Sequence, residues 1–373
     1  MRRTVLLACV SWTIACSGSS TDAPADLDAG SDAALVEDAS EEVADSTSDG
    51  QDEIPKVPAS VLQPGALIQG DTGRNAYVGD QKRGAILVLD LEANTSLIFS
   101  GCVDAANPTC PGSRVGTGIE LALPNALALD AKRGRLLVTD GANRLRAVDL
   151  ETRVRTDLTH EPLYTPRSIV VHPSGDRAWV LCQGSDSIVE VDLDTGSQRS
   201  VSGCSVSTAP SGSCAGADLR GAGPALLNPL TLLYDADRDR LLVTDSDRNA
   251  IVAVDPRSGD RSILSGCTLE APSSSCTQLA GAGKALVSVR SHAILDAERR
   301  RVIVPNGASL VTVDLQSGDR AVLSAAQQDG PSLEYIGGLA LDAAHGRALL
   351  FNATDLVAVD LASGARSVIT GPW

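Results

Sequence analysis

The chain has 373 residues, a net charge of −16 and only 2% aromatic side chains. No basic stripe runs through it, which excludes nucleic acid as a natural partner. The roughly 310 residues that follow the N-terminal segments suit one domain, larger than typical.

Residues 1–16, MRRTVLLACVSWTIAC, carry Arg2 and Arg3, then an apolar run from Thr4 to Ile14 and a small-residue end. The run is too short to span a bilayer and reads as a signal peptide. It resembles a bacterial lipoprotein signal with TIAC as lipobox, which implies that Cys16 is lipidated and that the membrane is reached through the lipid anchor. By the same resemblance Ser17 implies sorting to the outer membrane, as a periplasmic or surface-facing protein. Residues 17–60 hold twelve acidic residues against Lys56 and scarcely a large apolar side chain. Such a segment cannot bury enough surface to offset its ordering entropy, so an acidic, disordered tether is expected.

From residue 61 to 373 one pattern repeats. Its clearest copy is NPLTLLYDADRDRLLVTDSDRNAIVAVDPRSGDRSILSG, residues 228–266, with four short apolar runs separated by turn residues. The Asp closing the third run recurs as Asp90, Asp149, Asp192, Asp255, Asp314 and Asp360. The turn glycine after it recurs as Gly196, Gly259, Gly318 and Gly364, with Asn94 in the first copy and Arg153 breaking the pattern. The second run closes on Asp80, Asp140, Gln183, Asp245, Asn306 and Asn352. Six four-stranded antiparallel meanders follow, over about 62–101, 122–160, 165–203, 227–266, 286–325 and 335–371. A meander cannot cover both its faces, so six of them predict an all-β, six-bladed β-propeller. The repeating Asp residues are expected to accept hydrogen bonds from turn N–H groups. No strand is evidently shared between the first and last copies, so ring closure is not readable.

Nine cysteines are present. Six form close pairs, Cys102/Cys110, Cys204/Cys214 and Cys267/Cys276, each opening in the phrase Ser-Gly-Cys after a fourth strand. Three local disulfides are predicted, in keeping with an oxidising compartment. Cys182 reads as a buried free thiol. The disulfide loops share a face with the turns after each second strand, and elaborated loops on a rigid scaffold make that the functional face.

Each pair leads into a Gly-x-Gly element, Gly116–Gly118, Gly221–Gly223 and Gly281–Gly283. With VTDSDRNAIVAVD (243–255), GAGPALLNPLTLL (221–233) and VTDGANRLRAVD (138–149), the chain resembles the NHL-repeat propellers over about residues 62–371. That resemblance implies fold and leaves activity open. The role expected for such a chain is a monomeric, non-catalytic module that binds an envelope protein or glycan and needs no cofactor. The rival resemblance is to gluconolactonase-like esterases and amidating lyases, which implies a divalent ion such as Ca²⁺ at one mouth of the channel. Asn125 matches the Asn of that ion's ligand set, Gln69 stands near the Glu position, and Ser168 or Thr231 replace the Asp. Losing both carboxylates removes most of the attraction for a hard cation. Arg290 and His292 are the remaining candidates to line a ligand-binding channel. The other histidines, His160, His172 and His345, are spread too widely to converge.

Overall fold

In the computed structural model the described residues are 61, 63–70, 73–104, 110, 114–204, 219–269, 276–289, 292–334, 336–353 and 355–369. All lie in one compact unit, Glu53–Trp373. The expected signal peptide with Cys16, the acidic tether, Cys214 and Arg290 lie outside the described residues.

Six antiparallel sheets follow one another along the chain. The first is β1 (Pro64–Gln69), β2 (Asn75–Asp80), β3 (Ala85–Asp90), β4 (Thr95–Cys102) and β5 (Arg114–Val115). The second is β6 (Ala126–Asp130), β7 (Arg135–Thr139), β8 (Leu145–Asp149) and β9 (Arg155–Asp157). The third is β10 (Pro166–Val171), β11 (Arg177–Cys182), β12 (Ser187–Asp192), β13 (Gln198–Cys204) and β14 (Leu219–Arg220). The fourth is β15 (Pro229–Asp235), β16 (Arg240–Asp245), β17 (Ala250–Val254), β18 (Arg261–Cys267) and β19 (Leu279–Ala280). The fifth is β20 (Ile294–Asp296), β21 (Arg301–Asn306), β22 (Ser309–Asp314) and β23 (Arg320–Ser324). The sixth is β24 (Ile336–Asp342), β25 (Arg347–Asn352), β26 (Asp355–Asp360) and β27 (Arg366–Ile369).

The expected six-bladed propeller is therefore present, with one amendment: three blades carry a fifth, two-residue strand. In blades 1 and 4 a disulfide turns the chain back so that it pairs again with the end of the fourth strand, Cys102 opposite Arg114 and Cys267 opposite Leu279. Cys102–Cys110 and Cys267–Cys276 are bonded, with Cα atoms 5.6 and 5.8 Å apart. Cys204 is disulfide-bonded too, and β14 returns against it in the same way.

Six apolar clusters sit between successive blades, built mainly of Val, Leu, Ile and Ala. The seam is one of them: Leu67, Val78 and Leu87 of blade 1 pack with Leu349, Phe351 and Leu356 of blade 6. Among the described residues no strand crosses it. The ring closes by packing β24 against β1, where Gly337 and Gly338 admit Pro64 and Leu67 at distances a Cβ would occupy. Gln69 of β1 also donates to Asp342 of β24 at 2.7 Å.

The turn chemistry follows the repeat. Asp90, Asp149, Asp192, Asp255, Asp314 and Asp360 each accept from the backbone N–H groups two and three residues on. Gly259 and its equivalents have φ of 72–79°, and Arg153, although not glycine, takes the same left-handed conformation at φ 60°.

Outer-strand arginines fasten three of the joints. Arg261 of blade 4 is buried and inserts into the link arriving from blade 3. Its Nε donates to the Pro224 carbonyl (2.7 Å), and its other nitrogens donate to the carbonyls of Arg220 (2.7 Å) and Gly221 (3.2 Å) and to Ser202 Oγ (2.7 Å). Ser202 Oγ in turn donates to the Gly259 carbonyl at 2.7 Å. Arg155 repeats this with Ser100, Val115 and Ile119, and Arg320 with Ser265, Ala280 and Lys284. The Gly-x-Gly elements exist for the same clasp: a Cβ at Gly223 would lie 2.0 Å from the Arg261 carbonyl oxygen. At the opposite rim, Arg135, Arg240 and Arg301 each bond the Asp closing their own inner strand and reach a carbonyl of the next blade.

Candidate functional site at the mouth of the channel

The six inner strands surround a channel of about 410 Å³ whose walls are largely aliphatic, including Leu127, Ile169, Leu232 and Leu339. On the disulfide-loop side the first pairs of four inner strands are irregular. The register slips between Pro64 and Ala66, Pro166 and Ser168, Pro229 and Thr231, and Ile336 and Gly338. A bulge of this kind re-aims one residue without disturbing the rest of the strand, and the residues left unpaired are Gly65, Arg167, Leu230 and Gly337.

Arg167 and Leu230 line a second cavity, of about 700 Å³, formed by blades 3 and 4 and the link into blade 5. Its polar wall is Gln183, Asn228, Ser246, Asp247, Asn249 and Ser288, and Val287 and Val289 add an apolar side. Most of these groups are held. Gln183 donates to Asn228, whose own amide donates to Asp247 at 3.0 Å; Ser246 donates to the Asn228 carbonyl at 3.1 Å. Asn249 accepts from Val289 N at 3.4 Å. Arg167 differs: its half-buried guanidinium has no ion pair or hydrogen-bond partner among the described residues.

Three titrations are displaced at the mouth and in the channel. Burial, with Asp245 and Asp247 nearby, pushes the Asp186 carboxyl up to about 7. Asp245 is raised as well by burial, against the pull of the Leu227, Arg248 and Asn228 N–H groups that it accepts. His292 lines the channel wall, half-buried, and its pKa is lowered to about 4 by burial and by the positive charge of Arg167. It is a neutral imidazole at pH 7.

The residues expected for a divalent ion do not converge. Asn125 stands just before β6 at the mouth, but its side chain accepts from Gln81 Nε2 (2.9 Å) and donates to the Pro166 carbonyl (3.5 Å). Gln69 lies at the far end of β1 and is committed to Asp342 and the Gly73 carbonyl. Ser168 and Thr231 accept from the inner-strand N–H groups of Leu232 (3.0 Å) and Ala293 (3.1 Å) of the following blades. Among the described residues no three His, Cys, Asp or Glu side chains are grouped to hold a metal. The donor set present does not fit a lactonase-type ion.

The other histidines are dispersed: His172 packs on Trp179 and Tyr234 at the opposite rim, and His345 bonds Asp342. Cys182 is free and buried, and burial pushes its thiol up to about 12, which leaves no thiolate for nucleophilic work. Sequence reasoning missed Arg167 and its neighbours. The available signal was the residue after each strand-opening proline, which the bulge directs to the mouth.

No protein-family model matches the chain, and no curated protein matches it. Its likeness is to solved structures. A virginiamycin B lyase from Staphylococcus aureus superposes with a TM-score of 0.50 at 15% identity, over 82% of this chain and 84% of that one. A gluconolactonase from Xanthomonas campestris does so with 0.53 at 14% identity, over 81% and 86%. An auxiliary nutrient binding protein from Bacteroides thetaiotaomicron gives 0.54 at 9%, over 79% and 68%. At these identities the shared property is the propeller fold, which carries enzymes and binding proteins alike.

Proposed function

We propose that the protein is an exported, lipid-anchored propeller that binds an envelope protein or glycan, without catalysis, at the disulfide-loop face. The observation that carries this reading is the mouth cavity: about 700 Å³, within the range of ligand sites, polar, and holding a half-buried guanidinium with no partner among the described residues. A half-buried guanidinium keeps part of its hydration and has donors to spare, and a ligand acceptor that meets them forms a charge-assisted contact. The N-terminal sequence supports anchoring through Cys16, and the disulfides suit an oxidising compartment. No helix among the described residues is long and apolar enough to cross a membrane.

The test is surface plasmon resonance on the full chain with fractionated envelope proteins and glycans. Ser288→Trp fills the mouth, and Ala236→Trp alters the opposite rim. Binding lost in the first variant and kept in the second is the expected result. Binding indifferent to Ser288→Trp overturns the reading.

A further inference from the structure

The mouth cavity holds charges of both signs that do not pair with each other. Arg167 enters it from the bulge of β10, and Asp247 enters from the turn between β16 and β17. Neither forms an ion pair with any described residue. Among the described residues Asp247 accepts only from neutral donors, Asn228 Nδ2 at 3.0 Å and Ser246 Oγ at 3.3 Å. Of the other charged groups near Asp247, Arg248 is buried and reaches the Ala225 carbonyl at 3.1 Å, and the Asp186 carboxyl, close enough to Asp247 to feel its charge, has its pKa raised to about 7. The cavity is thus dipolar, with a cation at one wall and an anion at another. Val287 and Leu230 line it as well.

A purely anionic ligand would satisfy Arg167 and meet Asp247 with like charge; a purely cationic one would do the reverse. Only a ligand carrying both signs closes both contacts. We infer that the mouth takes a zwitterionic α-amino-acid head group, its carboxylate on the Arg167 guanidinium and its ammonium on Asp247, with a small apolar side chain against Val287. The inference rests on the reading that the ligand sits in the mouth. Charge-assisted contacts of this kind are the strong ones, and a guanidinium matches a carboxylate in a two-point geometry that an ammonium cannot reproduce.

The experiment is isothermal titration of the full chain with L-valine, N-acetyl-L-valine and L-valinamide, which remove the ammonium and the carboxylate in turn. Valine is expected to bind, and each blocked derivative to bind at least about tenfold more weakly, the loss of one charge-assisted contact. Arg167→Gln should abolish the discrimination against valinamide alone, and Asp247→Asn that against the N-acetyl compound alone. Both side chains are solvent-accessible, and thermal melting of each variant checks that the fold is retained. Equal binding of the three compounds, or no valine binding up to about 20 mM, overturns the inference. If all three bind equally and Ser288→Trp removes them, the zwitterion fails while the mouth stands. Valine binding that survives Ser288→Trp removes both.

Discussion

The joints between blades 1 and 2, 3 and 4, and 4 and 5 contrast with the seam between blades 6 and 1. Each of the three has a long link opening with Ser-Gly-Cys, and a buried arginine of the next blade satisfies that link's carbonyls. Among the described residues no strand crosses the seam. It relies on Phe351 and its aliphatic neighbours, two glycines and the Gln69–Asp342 bond. Long links expose many carbonyls near the rim and need a polar fastener, whereas the seam closes mainly by shape, with one side-chain hydrogen bond across it. The mouth cavity lies against two neighbouring fastened joints, 3/4 and 4/5, which gives it the rigid walls that a preformed site needs.

The largest effect is expected at the seam, where closure depends mainly on packing. Phe351→Ala should cost about 3–5 kcal/mol in denaturant unfolding, the usual range for a truncated core aromatic. A cost below about 1 kcal/mol would mean that the seam is not a closure element. Next comes the clasp: Arg261→Ala leaves three carbonyls and Ser202 without their donor and should cost about 3 kcal/mol. Arg366 bonds the Pro331 and Gln328 carbonyls without a disulfide-bearing link, so Arg366→Ala should cost less.

Asp186 sharpens the contrast at one fastened joint. Its equivalents in blades 2 and 4 are Asn143 and Asn249, also at positive φ, and each accepts a backbone N–H from the next blade. With its pKa raised to about 7, folded Asp186 holds its proton where the unfolded chain has lost it. Its contribution is therefore fully present below about pH 4 and lost as pH rises through 7. Asp186→Asn should stabilise by about 1–3 kcal/mol at pH 8 and change nothing at pH 3.5, as read by melting at both pH values. Equal effects at the two pH values would refute the burial of this carboxyl.

The smallest effect concerns His292. Its pKa of about 4 means that the unfolded chain takes up a proton first on acidification, so stability falls between about pH 6.5 and 4. Partial exposure to the channel limits this to about 1–2 kcal/mol. Arg167→Gln should raise the His292 pKa in an NMR titration, and an unchanged value would place Arg167 away from the channel.

Much of the architecture was legible because the repeat writes its turns in Asp and Gly, whose chemistry is local. Even Arg153, which departs from the pattern, takes the glycine conformation because its neighbours dictate the turn. Closure was not legible, since the steric allowance of Gly337 and Gly338 has meaning only once β1 lies beside β24. The clasps were hidden because Arg155, Arg261 and Arg320 sit in outer strands, where a basic side chain ordinarily faces solvent. Of the expected channel residues, Asn125 reaches the mouth but is committed to Gln81, and His292 lines the channel wall. Arg167 escaped notice because a one-residue bulge, not the strand alternation, decides where it faces.

The most direct test of the account is hydrogen–deuterium exchange on the full chain, with and without the envelope fraction that it retains. Protection is predicted at residues 165–168, 183–186, 228–230, 246–249 and 287–289, around the mouth. Protection confined to the opposite rim, at residues 131–134, 236–239 and 343–346, would contradict it.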